Sequence, residues 1–236
     1  MALEKMRRRW EAWLQPLLTA FYKLSPSTVT WLALPFGVVG GLLAMYAPDD
    51  TTGGGWLLGG AVMIALAMLF DGLDGSLARA KGEVTRWGDY LDHTIDRVLD
   101  GVWVVCISAS VFVGDMTLGF AAAFLTLMGS YMGTQAQAVA GSRNYRGFSR
   151  ADRTVLTLLS LVVMGVMVIA GWSIDATYPG WFDHIEVNPM SLIVFISAIG
   201  GLWTFSVRFL QARGEIQALD AADPLPQPGL KNEQEP

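Results

Sequence analysis

The sequence predicts an all-α polytopic membrane protein with six transmembrane helices and an N-terminal interfacial amphipathic helix. Three observations predict it. Of 236 residues, 53% are hydrophobic and 16% are charged, against about 25% charged in an ordinary soluble domain. Six apolar stretches, at 27–47, 55–78, 89–113, 116–140, 153–174 and 189–210, each match the roughly 20 residues a crossing needs. Finally, all 16 Lys and Arg avoid the loops between stretches one and two, three and four, and five and six. Those loops carry acids only, such as Asp49, Asp50, Asp115, Asp175, Asp183 and Glu186.

The elements follow in order. Over residues 4–23, Trp10, Trp13, Leu14, Leu17, Leu18 and Phe21 recur at helical spacing beside Lys5, Arg7, Arg8 and Arg9. That pattern reads as a helix lying in the membrane interface, an anchor rather than a catalytic element. The start MALEKMRRRW leads into this amphipathic stretch, so no cleavable signal peptide is expected. The first span opens with Ser25-Pro26-Ser27 and the sixth with Asn188-Pro189, each a cap residue followed by an early proline. The second is expected after a Gly53-Gly54-Gly55 turn. The chain divides into an interfacial segment 1–24, a single six-span domain 25–213, and a polar tail 214–236 with Pro224, Pro226 and Pro228, expected to be disordered. The lone Cys106 excludes a disulfide framework within one chain. With six spans, the basic residues put both termini and the loop between spans two and three on the cytoplasmic side. No nucleic-acid partner is expected of a chain whose charges obey this membrane logic.

That loop joins the chemically informative residues. Asp71, Asp74, Asp92 and Asp96 stand at the facing ends of spans two and three. A carboxylate in hydrocarbon costs roughly 2.5–3.5 kcal/mol even on a lenient scale, so four together need compensation, and divalent metal supplies it. Asp71, Asp74, Gly75 and Ala78 fall on one helical face, and Gly88, Asp92 and Asp96 on another. The short Lys81–Arg86 link lets the two faces converge. An all-oxygen donor set favours Mg²⁺ or Mn²⁺ over zinc. His93 adjoins the cluster, but its position is turned about 100° from Asp92 around the helix, and it is left out of the ligand set. Gly75 and Ala78 leave room for a flat group against the backbone, although small residues also serve plain helix packing. Arg79 suits a phosphate, or simply anchors the chain. Asp89, Arg97 and Asp100 nearby are read as supporting or packing residues.

The run Asp71-x-x-Asp74-Gly75-x-x-Ala78-Arg79, then eight residues, then Gly88-x-x-x-Asp92-x-x-x-Asp96 resembles the signature of the CDP-alcohol phosphatidyltransferases. The resemblance extends to the interfacial helix, the six spans, and the segment Ser25-Pro26-Ser27-Thr28-Val29-Thr30. It implies that Asp71, Asp74 and Asp92 hold two divalent cations, and that Asp96 is the general base and touches a metal as well. It implies further that Gly75, Ala78 and Gly88 shape a site for the cytidine nucleotide of a CDP-lipid, with Arg79 on its diphosphate. The implied reaction is attack of an acceptor hydroxyl on the lipid-side phosphorus with release of CMP, by a protein expected to be a homodimer.

The acceptor side is less marked. Span four ends in SYMGTQAQA, where Tyr131, Gln135 and Gln137 are polar in an apolar helix. Arg143, Arg146, Arg150 and Arg153 follow, the last two on one face at the start of span five. Gln135, Arg150 and Arg153 are therefore the expected acceptor contacts. The inositol-phosphate branch of the family has arginines and glutamate where this chain has Gly133, Gln135 and Gln137, yet Arg150 and Arg153 match its second basic segment. Inositol phosphate, glycerol phosphate and a small alcohol such as serine all remain open, as does a diacyl or ether-linked lipid donor. Two rivals are weighed. An intramembrane prenyltransferase would have more spans and two widely separated aspartate motifs. A cation transporter would place acids at mid-membrane on several helices.

Overall fold

The computed structural model describes residues 15–141 and 146–224. Among them are six long helices: α1 (Pro26–Met45), α2 (Thr51–Lys81), α3 (Arg86–Ser108), α4 (Met116–Ala140), α5 (Arg150–Ala170) and α6 (Pro189–Ala222). A short helical segment at 15–21 precedes them. Five of the six, all but α3, are long and apolar enough to cross a membrane. With its family, described below, this makes the chain a multi-pass membrane protein. α3 falls short of the expected sixth apolar span because Arg86, Asp89, Asp92, Asp96, Arg97 and Asp100 occupy its first part. It packs against α1 and α4; Asp96 and Asp100 are buried and Asp92 and Arg97 half-buried, while Arg86 and Asp89 at its start are exposed.

Each helix begins where a side chain caps it. Ser25 accepts from the Thr28 amide at 3.1 Å, and Pro26 occupies the first turn, where its missing N–H costs nothing. Asp50 accepts from the Thr52 amide at 2.7 Å. The Thr52 hydroxyl and amide hold the Asp50 carboxyl below its usual value. This cap starts α2 at Thr51, so Gly53, Gly54 and Gly55 lie inside the helix rather than in the expected turn. The reason is packing: a Cβ on Gly54 would stand 2.6 Å from the Gly165 carbonyl of α5. In lipid, apolar side chains gain little by leaving their surroundings, and helices associate through such close approach.

α6 corrects a second boundary. The polar segment after residue 213 is helical to Ala222, not disordered over its whole length. Glu215, Gln217 and Ala218 are good helix formers, and the Gln211 amide donates to Glu215 at 2.7 Å one turn on. The helix stops just short of Pro224, as a residue before proline must. The rest of the expected tail, 225–236, and residues 1–14 of the interfacial helix lie outside the described residues. Within 15–21, Leu18 is buried with Val29, Leu73 and Leu77, and Phe21 meets Phe70 edge-on at 5.9 Å. This small cluster braces the end of α2 that carries the aspartates. The main core runs from Leu57 and Ile64 through Leu99 and Ile107 to Leu161 and Met190. Within it the Trp103 indole donates to the Gly37 carbonyl at 2.8 Å.

Candidate active site

Local folding sets the phase of every site residue. Leu73 and Leu77 are fully buried against Val29 and Leu18, so the turns of α2 between them must present Asp71, Asp74 and Gly75 around the adjoining face. Thr85 accepts from the Gly88 amide at 3.0 Å and starts α3 at Arg86. Asp92, Asp96 and Asp100 then follow at four-residue steps along one side. Ser149 and Asp152 form a reciprocal capping box that starts α5 at Arg150, placing Arg150 and Arg153 one turn apart. The loop before that cap is pressed onto α6. Gly147 has φ 105°, a Cβ there would meet Thr204 at 2.7–2.9 Å, and the Phe148 amide donates to Thr204 Oγ1 at 2.8 Å.

These elements bring the carboxylates together. Asp71 on α2 stands close enough to Asp92 and Asp96 on α3 for the three carboxylates to repel one another. Asp74 is 6% exposed. Its Oδ1 accepts from the Gly75 amide, and its Oδ2 is buried with no hydrogen-bond partner. A buried carboxylate oxygen without a hydrogen-bond partner, on a residue close to other carboxylates and to Thr30, suits a cation ligand. Asp92, His93 and Asp96 also offer ligand atoms within 4.8 Å of one another. The donor set therefore fits divalent metal. His93, outside the expected ligand set, stands beside the cluster, with Nδ1 3.8 Å from Asp92 Oδ2 and Nε2 3.7 Å from Asp89 Oδ1.

Arg150, an expected acceptor contact, reaches further than its place in the sequence suggests. Its guanidinium enters the acid cluster itself, with Nη1 3.0 Å from Asp71 Oδ2 and Nη2 2.6 Å from Asp96 Oδ1. Arg153 is buried and pairs with Asp100 at 2.6 Å. Both also line a cavity of about 730 Å³ between α3, α4, α5 and α6. Its wall is cationic: His93, Arg97, Arg150, Arg153 and Arg208 face it, with Asp89 the one acid. Gln137 and Ser130 of α4 line it too. Gln135 does not: it is exposed, and Tyr131 donates to its carbonyl oxygen at 3.1 Å. Arg97, Ser130, Gln137 and Arg208 were missed as site residues. A cationic wall assembled from four helices has no local signature. Arg143 lies outside the described residues.

The remaining expected contacts sit on the acidic side. Gly75 and Ala78 are half-buried. An added Cβ on Gly75 would find its nearest neighbour, Arg79 Nη1, at 3.4 Å, so the helix surface there is open. Arg79 is exposed and donates to Ser76 Oγ at 3.2 Å. Gly88 is half-buried and engaged in the α3 cap. Lys81, by contrast, is spent on structure, donating to the Leu24 carbonyl at 3.2 Å.

Residues 23–211 match the family described as CDP-alcohol phosphatidyltransferase. The chain belongs to this family. It is accordingly a membrane-embedded CDP-alcohol phosphotransferase. Among curated relatives it is similar to the phosphatidylinositol phosphate synthase of Cutibacterium acnes, 27% identical over 219 residues, which span 89% of this chain and 97% of the relative. It is also similar to the archaetidylinositol phosphate synthase of Methanothermobacter thermautotrophicus, 31% identical over 61% of this chain and 74% of the relative. Among solved structures, the Mycobacterium tuberculosis phosphatidylinositol phosphate synthase with CDP-DAG bound shares the fold. Its TM-score is 0.65 and its identity 24%, over 84% of this chain and 92% of that one. A second structure of that enzyme, with manganese and citrate, aligns with a TM-score of 0.63, 24% identical over 84% of this chain and 88% of that one.

Proposed function

We propose that this phosphotransferase moves a phosphatidyl-type group from a CDP-lipid to a hydroxyl of inositol phosphate, releasing CMP. The observation that carries the acceptor class is one residue shared by two sites: Arg150 pairs with Asp71 and Asp96 and also lines the cationic cavity. An acceptor phosphate held in that cavity brings its hydroxyls beside the acid cluster. Inositol phosphate is favoured over glycerol phosphate by the synthases of inositol phosphate lipids among the relatives. A serine acceptor carries no phosphate, and its single carboxylate, offset by its own ammonium, is a poor match for several arginines.

In this reading Asp71, Asp74, Asp92 and Asp96 hold two divalent cations, Mg²⁺ or Mn²⁺, with His93 at the rim. Bound there, such cations neutralise the diphosphate and stabilise the leaving CMP. The chain's own groups do the rest. Gly75 and Ala78 admit the nucleotide, and Arg79 contacts its phosphates. Asp96 accepts the proton of the attacking hydroxyl, since an alcohol needs a base within about 2.6–3.2 Å. The new bond forms between the acceptor oxygen and the lipid-side phosphorus, the bond to CMP breaks, and the proton ends on Asp96. The arginines orient the acceptor, which converts a two-body encounter into a positioned one.

The distribution of Lys and Arg supports a cytoplasmic site and cytoplasmic termini, and a homodimer is the assembly expected of the family. The test is CMP release by purified protein with CDP-diacylglycerol and a panel of acceptors. Inositol phosphate should give the highest kcat/KM. Serine or unphosphorylated inositol as the best acceptor would overturn the reading.

A further inference from the structure

Asp100 belongs to neither of the groups just described. It stands one helical turn beyond Asp96 on α3 and is 2% exposed. Three guanidinium groups converge on it. Arg153 Nη2 is 2.6 Å from Oδ2, Arg97 Nη1 is 3.4 Å from Oδ2, and Arg150 Nε is 3.6 Å from Oδ1. These are three of the arginines that line the cavity, and they come from two helices, α3 and α5.

We propose that Asp100 is a positioning residue that sets Arg97, Arg150 and Arg153 as one anion-binding wall for the acceptor phosphate. The inference rests on reading the cavity as the acceptor site. Charge supports it: among the described residues that line the cavity, Arg97, Arg150, Arg153 and Arg208 stand against Asp89, an excess suited to a phosphate dianion. Donor count supports it as well. Each guanidinium has five N–H donors in a fixed plane; Asp100 draws one nitrogen of each to 2.6–3.6 Å, and Arg150 Nε and Arg153 Nε are buried without a hydrogen-bond partner, leaving donors for an anion. Arg150 most needs the hold, because Asp71 and Asp96 draw it into the metal cluster on its other side. With Nε at ion-pair distance from Asp100, 3.6 Å, its plane spans the two sites. Stability alone is a weak reason for such an arrangement, since a buried ion cluster repays its desolvation only with difficulty. Side chains elsewhere fix the same wall: Arg97 donates to Ser130 of α4, and Arg208 donates to the Gly129 and Arg146 carbonyls at 2.9 Å.

The test is calorimetric titration of full-length purified protein with inorganic phosphate and with inositol phosphate, alongside CDP-diacylglycerol binding. Asp100→Asn should weaken both phosphate ligands at least about tenfold while the CDP-lipid affinity holds within about twofold. Asp100→Glu should recover part of the loss. Because Asp100→Asn leaves Arg153 buried without its partner and can fail to fold, Asp100→Asn/Arg153→Gln is the companion. It removes both charges and should still bind phosphate more weakly than Arg153→Gln alone. Equal phosphate affinity in those two variants, or a parallel fall in CDP-lipid affinity, overturns the proposal. A wild type that binds no phosphate ligand overturns the acceptor reading and this inference together. Normal wild-type binding with unchanged Asp100 variants overturns this inference alone.

Discussion

Both ends of the helical bundle carry buried polar groups, and the two ends handle them in opposite ways. At the end holding Asp115, His184 and Asn188, each polar atom is paid off locally. Asp115 accepts from the Leu118 amide at 2.9 Å and meets His184 at 3.2 Å, and Asn188 donates to the Phe112 carbonyl at 2.7 Å while capping α6. At the other end, one arginine, Arg150, bridges Asp71 and Asp96 from another helix, and Asp74 Oδ2 is buried without a hydrogen-bond partner. One end is closed by backbone donors; the other is left to be completed by ions and substrates. Incomplete pairing marks the reactive end.

The largest effect is expected at Asp96. Asp96→Asn removes the proton acceptor and should lower CMP release by about 10³-fold, within the range of a lost general base. CDP-lipid binding should change little, because Asp71, Asp74 and Asp92 remain. Single-turnover CMP release with parallel lipid binding checks this, and near-normal turnover would sink the base assignment. Next comes Asp74→Asn, which makes the orphan carboxylate an amide. The affinity for Mn²⁺, read by its paramagnetic resonance signal, should fall about 10–100-fold, and activity should partly return at high metal. The same measurement on His93→Ala should show a smaller loss if the imidazole only rims the site.

Smaller effects separate the donor and acceptor sides. Ala78→Leu should fill the open helix surface beside Gly75 and raise the CDP-lipid KM about tenfold, with the acceptor KM unchanged. Gln137→Ala should raise the acceptor KM a few-fold, about the worth of one neutral hydrogen bond. Gln135→Ala should not, since Gln135 points off the cavity toward Tyr131.

That last pair shows where legibility stopped. The aspartate motif was readable because it lies on two helix turns, where spacing alone decides which side chains share a face. The capped starts of α1 and α6 were readable because Ser25-Pro26 and Asn188-Pro189 act within four residues. The start of α2 was misplaced because consecutive glycines suggest a turn, whereas Gly54 exists for its contact with Gly165, more than a hundred positions away. Gln135 and Gln137 lie about 200° apart on α4, and only the packing of that helix against α6 selects Gln137. His93 stands near the cluster because an imidazole reaches further than the phase of its Cα suggests. The pairing of Arg150 with Asp71 spans 79 positions, and no periodicity encodes it.

The closed end supplies the smallest and most discriminating prediction. Asp115 sits in the loop before α4, and the Leu118 amide first, then the His184 partner, hold its carboxyl below the usual value. A carboxyl depressed in the folded state stabilises above its unfolded value, about 3.9. That contribution disappears as pH falls through the lower folded value. Asp115→Asn should therefore narrow the difference in unfolding temperature between pH 3 and pH 7, leaving stability at pH 7 nearly unchanged because asparagine caps a helix as well as aspartate does. The effect is worth less than about 1 kcal/mol, since solvent screens a partly exposed group. CMP release at pH 7 should stay within about twofold of wild type. If it fell as far as in Asp74→Asn, the division into a self-satisfied end and a reactive end would be wrong, because a helix cap far from the acid cluster would be sustaining the chemistry.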